Sequence, residues 1–244
     1  MTHAGCAART DSASPGQPLV SVIIAVRNGE EFLGAAIESA LAQTWPRREI
    51  IVVDGDSSDR SREIACSFPA VKLLNQRSTG FAAAWNEGVR AASGSMVAIL
   101  DSDDLWEPQK LELQVMALLA HPECGYVMSA TRFLRMPGAP LPAGYERVDL
   151  EASHSAPIPS AMLARREVFD RIGLFDESLR IASDIEWFRK ARDHGIKSVS
   201  MPEVLLRRRI HSSNLSYRPP DPGLLNRELL SLLRQSIHRR RSAE

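Results

Sequence analysis

The sequence predicts an α/β protein, a mostly parallel sheet with helices on both faces, and three observations carry that expectation. Short β-branched runs recur at residues 19–26 (LVSVIIAV), 49–53 (EIIVV), 71–74 and 97–100. Between them apolar residues fall at helical spacing, so strand and helix alternate. Three of the runs lead directly into polar residues, Asn28, Asp54 and Asp101. Ligands of such sheets sit outside the carboxyl ends of the strands, where these residues fall.

Taken in order, residues 1–17 lack an apolar core segment and are expected to be a flexible leader, not a signal peptide. The run at 19–26 lies between Pro18 and Asn28-Gly29, and its unbroken apolar content suits a strand buried on both faces. Residues 30–44 place Phe32, Ile37 and Leu41 at helical spacing. The strand at 49–53 meets Asp54 in the segment DGDSSD, where Gly55 permits a tight turn and Asp59 caps a helix opening near Arg60. After the strand at 71–74, a helix starts near Phe81 and is expected to close at Gly88. The strand at 97–100 leads into Asp101, Asp103 and Asp104 before a helix opens near Pro108. Further strands are expected at 125–134, 158–166 and 204–209, with a proline- and glycine-rich loop, MPGAPLPAGYE, after the first of them. Residues 224–237 carry a helical apolar face and run into the basic segment HRRR.

Composition bounds the function. The 244 residues hold 44% hydrophobic and 25% charged side chains, and Lys plus Arg balances Asp plus Glu at 30 each. That length suits one α/β domain, and zero net charge gives no reason to expect nucleic acid as a partner. Cys6, Cys66 and Cys124 are scattered and fit neither a disulfide framework nor a zinc site, so a reducing cytoplasm is expected. No apolar run reaches the roughly 18 to 20 residues that span a bilayer.

The chemistry concentrates at the aspartates. If the chain stays extended past residue 100, period-2 geometry turns Asp101 and Asp103 to one side, where both can face a divalent cation. Hard oxygen ligands suit Mg²⁺ or Mn²⁺. The plainer reading is a polar turn whose aspartates accept from free backbone N–H groups. A nicotinamide-binding domain would need a G-x-G-x-x-G segment after the first strand, where RNGEEF stands, and there is no P-loop. A metal bridging a diphosphate explains the aspartates better.

Four blocks then stand in order, VSVIIAVRN, QTWPRREIIVVDGDSSDRS, AWNEGVRAASGSMVAILDSDDLWEP and RREVFDRIGLFDESLRIASDIEWFRKA. Together they resemble the family-2 glycosyltransferases of GT-A fold across residues 18–216. The resemblance implies a nucleotide-binding half at 18–122 and an acceptor half at 123–216, and the apolar face and basic end of the tail add an appended C-terminal amphipathic basic helix at 217–244. It implies inverting transfer of a single sugar from a nucleotide-diphosphate donor, a UDP-sugar in the first instance, to an acceptor hydroxyl, with Mn²⁺ or Mg²⁺ as cofactor. The acceptor class stays open among glycan, lipid-linked, metabolite and peptide hydroxyls.

Residue by residue, Asp101 and Asp103 fall at the D-x-D positions. Asp103 is the first choice for the metal, and Asp101 shares the metal and the donor ribose. Ala25, Arg27, Asn28 and Asp54 match positions that hold the nucleoside. Arg77 either offers a cation to the donor or stands solvated, and Asn86 is expected to tie its helix to the strand end. His211 falls where relatives bring a histidine to the metal shell. Asp184 falls at the general base, with Ser183 in place of the family's glutamate, and Gly55 replaces a second carboxylate after Asp54. Ser183-Asp184-Ile185-Glu186 also fits a helix capping box. Arg207 to Arg209 either screen the diphosphate or form a solvated edge. The C-terminal helix packs on the domain, pairs two protomers, or makes peripheral contact with the inner face of a membrane. The rivals are a sugar-nucleotide pyrophosphorylase, whose glycine-rich signature is missing, and a catalytically degenerate nucleotide-binding scaffold.

Overall fold

The computed structural model describes residues 17–141, 145, 147–214 and 223–241, the last helix without side chains beyond Leu233. Of the expected leader at 1–17, residues 1–16 lie outside the described residues, as do residues 215–222. The elements are β1 (Val20–Val26), α1 (Leu33–Leu41), β2 (Arg48–Asp54), α2 (Ser61–Cys66), β3 (Val71–Asn75), α3 (Phe81–Ala91), β4 (Met96–Asp101), β5 (Leu105–Trp106), α4 (Lys110–Ala120), β6 (Cys124–Arg135), β7 (Met162–Arg165), α5 (Arg166–Ile172), α6 (Ser183–Asp193), β8 (Lys197–Ile210) and α7 (Leu224–Arg241).

The strands form one sheet in the order β3-β2-β1-β4-β7-β6-β8-β5. The first four are parallel to one another, and β7 runs against both β4 and β6. β8 returns parallel to β6, and the short β5 pairs against the end of β8. The register aligns Val26 with Asp54 and Ala25 with Asp101, so the carboxyl ends of β1, β2 and β4 finish level. That level edge builds the site.

Strand β1 is buried on both faces, which is why its sequence is an unbroken apolar run. Val20, Val22, Ile24 and Val26 join Leu33, Ile37, Leu111 and Val115 on one side. Ile23 and Ala25 join α3, α5 and α6 on the other. On that second side the Trp187 ring lies 5.0 Å from Phe169 and 5.4 Å from Phe188, an aromatic cluster that seats α6.

Several boundaries differ from expectation. Helix α3 does not close at Gly88 but continues to Ala91. A Cβ there would lie 2.3 Å from Ile23 Cγ2, so the glycine serves close packing of α3 on β1 rather than a helix end. Of the strand expected at 158–166 only Met162–Arg165 forms, because Pro159 opens a 3₁₀ turn over Pro159–Ala161. The last strand starts earlier than 204, since pairing with β6 extends it back to Lys197. Cys66 and Cys124 are free thiols. No helix among the described residues is long and apolar enough to cross a membrane.

Candidate active site

The loops after β1 and β2 are laced together by polar bonds. Asn28 takes a positive φ of 54°, which asparagine tolerates better than most residues. Its N–H donates to Ser57 Oγ at 2.9 Å, and Ser58 N–H donates to its Oδ1 at 2.8 Å. Glu30 N–H donates to Asp59 Oδ2 at 2.9 Å, and Ser61 N–H donates to Oδ1 of the same carboxylate at 2.9 Å, the expected cap of α2. Gly55 does not use its conformational freedom, because Asp56 takes the positive φ of 59° instead. What matters at Gly55 is the missing side chain, since a Cβ would lie 2.8 Å from Gln76 Oε1.

Between these loops Asp54 is 4% exposed. Its Oδ2 accepts from Ser57 N–H at 3.4 Å, while its buried Oδ1 has no hydrogen-bond partner among the described residues. An unpaired buried acceptor is costly, and this one sits at the sheet edge where a ligand would approach. Of the other residues assigned to the nucleoside, Ala25 turns its side chain into the core, so only its backbone is offered, and Arg27 is exposed. Arg77 is exposed on the loop before α3, with its N–H donating to Glu87 Oε1 at 2.6 Å.

The extended run does not persist past β4. Asp104 N–H donates to Asp101 C=O at 3.1 Å, closing a turn, so Asp101 and Asp103 approach through that turn and not by strand alternation. Asp101 N–H donates to Ser160 Oγ at 3.0 Å. Burial first, then the neighbouring Asp103 charge, push the Asp101 carboxyl up to about 6, with Asp184 adding to the rise and Arg208 opposing it. Burial also works upward on Asp103, yet His211 and Arg208 hold it below the ordinary carboxylate value. His211 Nε2 and Asn214 Nδ2 each lie 3.0 Å from Asp103 Oδ2, and the His211 ring rests 4.3 Å from that of Phe32. Asp104 turns inward, 2% exposed, and accepts Arg209 N–H at 2.9 Å, so the third carboxylate is a structural anchor.

The three arginines separate by strand alternation. Arg207 faces out and pairs with Glu107. Arg209 is buried, donating to Asp103 and Phe32 carbonyls. Arg208 lies on the other side of β8, and its charge lowers the pKa of Asp101, Asp103, Asp104 and Asp184. Of the three arginines expected to screen a diphosphate or form a solvated edge, Arg208 is thus the one whose charge reaches all four carboxylates. Ser160 and Asn214 carry only the signal of an ordinary polar residue in the sequence, and sequence reasoning does not single them out.

At the start of α6, burial pushes the Asp184 carboxyl up, while Ile185 N–H, donating to Oδ1 at 2.8 Å, and Arg208 pull against it. The capping box does not form. Ser183 is already helical, the N-cap is Ala182 without a side-chain bond, and Glu186 turns to Lys190 at 3.1 Å and Arg189 at 3.2 Å. Asn86 ties α3 to the segment before α6 instead of to a strand end: its Nδ2 donates to Phe175 C=O at 2.9 Å, and Phe175 N–H donates to its Oδ1 at 3.0 Å.

Among the described residues no three His, Cys, Asp or Glu side chains close a metal cage. The arrangement instead fits a hard cation held by one or two carboxylates and completed by substrate phosphates, as Mg²⁺ and Mn²⁺ are bound. Burial, and after it the neighbouring Asp103 charge, raise Asp101, and a bound cation would offset both by supplying positive charge there.

A parallel sheet continued by an antiparallel strand into a second half, with aspartates at the level edge, defines a GT-A fold. The solved TarS fragment 1–349 of S. aureus with UDP-GlcNAc superposes with a TM-score of 0.65 at 20% identity, over 80% of this chain and 60% of that one. The mannosyltransferase PcManGT of Pyrobaculum calidifontis, solved with GDP-Man and Mn²⁺, gives 0.61 at 23%, over 78% and 56%. The model of glycosyl transferase family 2 matches residues 21–173, and the chain belongs to that family. An uncharacterized glycosyltransferase of Rickettsia typhi is 34% identical over 210 residues, 80% of this chain and 65% of that protein. WfgD of Escherichia coli, a UDP-Glc:alpha-D-GlcNAc-diphosphoundecaprenol beta-1,3-glucosyltransferase, is 42% identical over 104 residues, 41% of each chain. The chain therefore spans 65% of the Rickettsia relative's length.

Proposed function

We propose that this chain transfers a single sugar from a UDP-sugar to a hydroxyl acceptor, with inversion and with a divalent cation. The observation that supports this reading is that Asp103, within 3.0 Å of His211 and Asn214, is turned back toward Asp101 where β1, β2 and β4 end level, with Asp184 adding its charge to the same group of carboxylates. Asp54 Oδ1 is suited to accept the imide N–H of uracil, where cytosine would present an acceptor. Asp103, with Asp101 and His211, would hold Mn²⁺ or Mg²⁺, whose chemistry is neutralisation of the leaving nucleoside diphosphate. Arg208 adds fixed positive charge beside the same oxygens.

Asp184 would take the proton of the acceptor hydroxyl as its oxygen bonds to the anomeric carbon and the bond from that carbon to the diphosphate oxygen breaks. A single displacement inverts the centre and needs no covalent sugar-enzyme intermediate. Burial makes the Asp184 carboxylate more basic and fits it to that step. A hollow of about 230 Å³ lined by Tyr126, Met128 and Phe188 gives room for an acceptor, and Phe188 follows Asp184 by one turn of α6. The E. coli relative's acceptor makes a lipid-linked glycan the first class to try, met at the cytoplasmic face of a membrane.

A thermal-shift panel of UDP, GDP, TDP and CDP, with and without Mn²⁺, on wild type and Asp103→Ala tests the reading. A ligand at 100 times its Kd stabilises the folded state by about 2.7 kcal/mol. UDP with Mn²⁺ is expected to raise Tm in the wild type alone. No shift with any nucleotide would favour the degenerate scaffold.

A further inference from the structure

Helix α6 starts without a cap of its own, so the N–H groups leading into it need acceptors from elsewhere. Helix α7 supplies one. Glu228, 8% exposed, accepts Arg180 N–H on Oε1 at 2.8 Å, and Ile181 and Ala182 N–H on Oε2 at 3.1 and 2.9 Å. These are charge-assisted bonds, and they converge on the three residues just before the turn that carries Asp184. Leu232, one turn further along α7, is 4% exposed and shares the docked edge with Glu228, whereas Leu230 and Leu233 face outward at 53% and 59%. Trp187 and the aromatic rings around it fix the middle of α6. Its first turn is therefore the part whose place depends on Glu228.

We propose that Glu228 is a positioning residue for transfer: through the backbone of residues 180–182 it sets where the Asp184 carboxylate stands, which makes α7 part of the catalytic apparatus. The inference rests on Asp184 being the base. Residues assigned to the donor lie on other elements, at the ends of β1, β2, β3, β4 and β8, so loss of Glu228 separates turnover from donor binding. Glutamine keeps the shape but offers one accepting oxygen instead of two, and aspartate keeps the charge one methylene short.

The test compares full-length Glu228→Gln and Glu228→Asp with wild type, with Leu233→Ser as a control on the exposed edge of the same helix. The readouts are kcat and KM for UDP release from UDP-glucose with water as acceptor, calorimetric binding of UDP with Mn²⁺, and amide exchange at residues 180–182. Misplacing a catalytic group by an ångström costs about 100-fold. Both variants are expected to lose about 10- to 100-fold in kcat, with KM and UDP affinity within about twofold of wild type and faster exchange at 180–182. A kcat within twofold of wild type overturns the proposal, as does a loss of UDP affinity in step with kcat, which would mean general loosening. Asp184→Asn separates the layers. If it keeps wild-type kcat, the base assignment fails. If it loses the rate while Glu228→Gln does not, only the role of Glu228 fails.

Discussion

Replacing Asp101 by asparagine should stabilise the protein while removing its chemistry. The carboxyl moves from 3.8 to about 6 on folding. A shift of that size corresponds to about 3 kcal/mol at 1.36 kcal/mol per unit, and because the residue is only half-buried we take about 1 to 3 kcal/mol. A raised acid binds more protons in the folded state between those two values, so its penalty is small near pH 4, grows as pH rises, and is complete above pH 6. Asparagine removes the charge and keeps the backbone N–H that donates to Ser160 Oγ. Urea denaturation in EDTA at pH 7 should place Asp101→Asn about 1 to 3 kcal/mol above wild type, and the gap should close toward pH 4. Adding Mn²⁺ with UDP should reverse the order, because the cation offsets the repulsion only where the carboxylates are present. A variant less stable than wild type at pH 7 without metal, by an amount independent of pH, would refute the cost assigned to holding a charged, buried carboxylate at this edge.

Two further perturbations probe the frame around the site. Gly88→Ala gains about 1 kcal/mol of helix propensity but drives a Cβ to 2.3 Å from Ile23 Cγ2, so urea unfolding should show a net loss of up to about 2 kcal/mol. In a double-mutant cycle Ile23→Ala should recover at least about 1 kcal/mol of that loss, and strict additivity would contradict the packing argument. Lys110 is fully buried on Gln114 Oε1 at 2.7 Å and over the Trp106 ring at 4.1 Å, and burial holds its pKa well below the ordinary lysine value. The unfolded chain binds the extra proton, so wild-type stability should rise relative to Lys110→Met between pH 7 and 10, and parallel profiles would show that Lys110 is not held neutral.

The sheet was legible because its cause is local. A strand covered on both faces needs continuous apolar residues, and β1, β2 and β4 carry them. The strand ends could therefore be placed, and with them Asn28, Asp54 and Asp101. What extrapolated poorly was anything set by a contact across the chain. The turn that brings Asp103 back to Asp101 depends on one bond from Asp104 N–H, and the hydrophobic pattern leaves no mark of it. Alternation along residues 207–209 was visible, but which side faces the carboxylates is decided by pairing with β6 and β5. From its neighbours in sequence Asn86 reads as a tie between its helix and the strand end, whereas its partner Phe175 lies 89 residues away. A capping box was the plain local reading at Ser183, and tertiary structure replaced it with a carboxylate from another helix.

This division also separates the two sides of the site by what holds them. At the strand ends the positions follow from sheet register, Val26 beside Asp54 and Ala25 beside Asp101, and moving them would mean breaking strands whose core residues are almost wholly buried. At Asp184 the first turn of α6 hangs on three backbone bonds to Glu228 and on the link from Asn86 to Phe175. Charge-assisted bonds contribute about 1.5 to 3 kcal/mol each and neutral ones about 1, so this segment rests on a few individual bonds, whereas the strand ends share the stability of the whole sheet. The strand-end geometry is thus as stable as the sheet. The place of Asp184 can be adjusted by changes on α7 or in the segment before α6 that leave the strand ends untouched, so under the proposed assignment of Asp184 as base one scaffold can keep its donor chemistry while the other side of the site diverges.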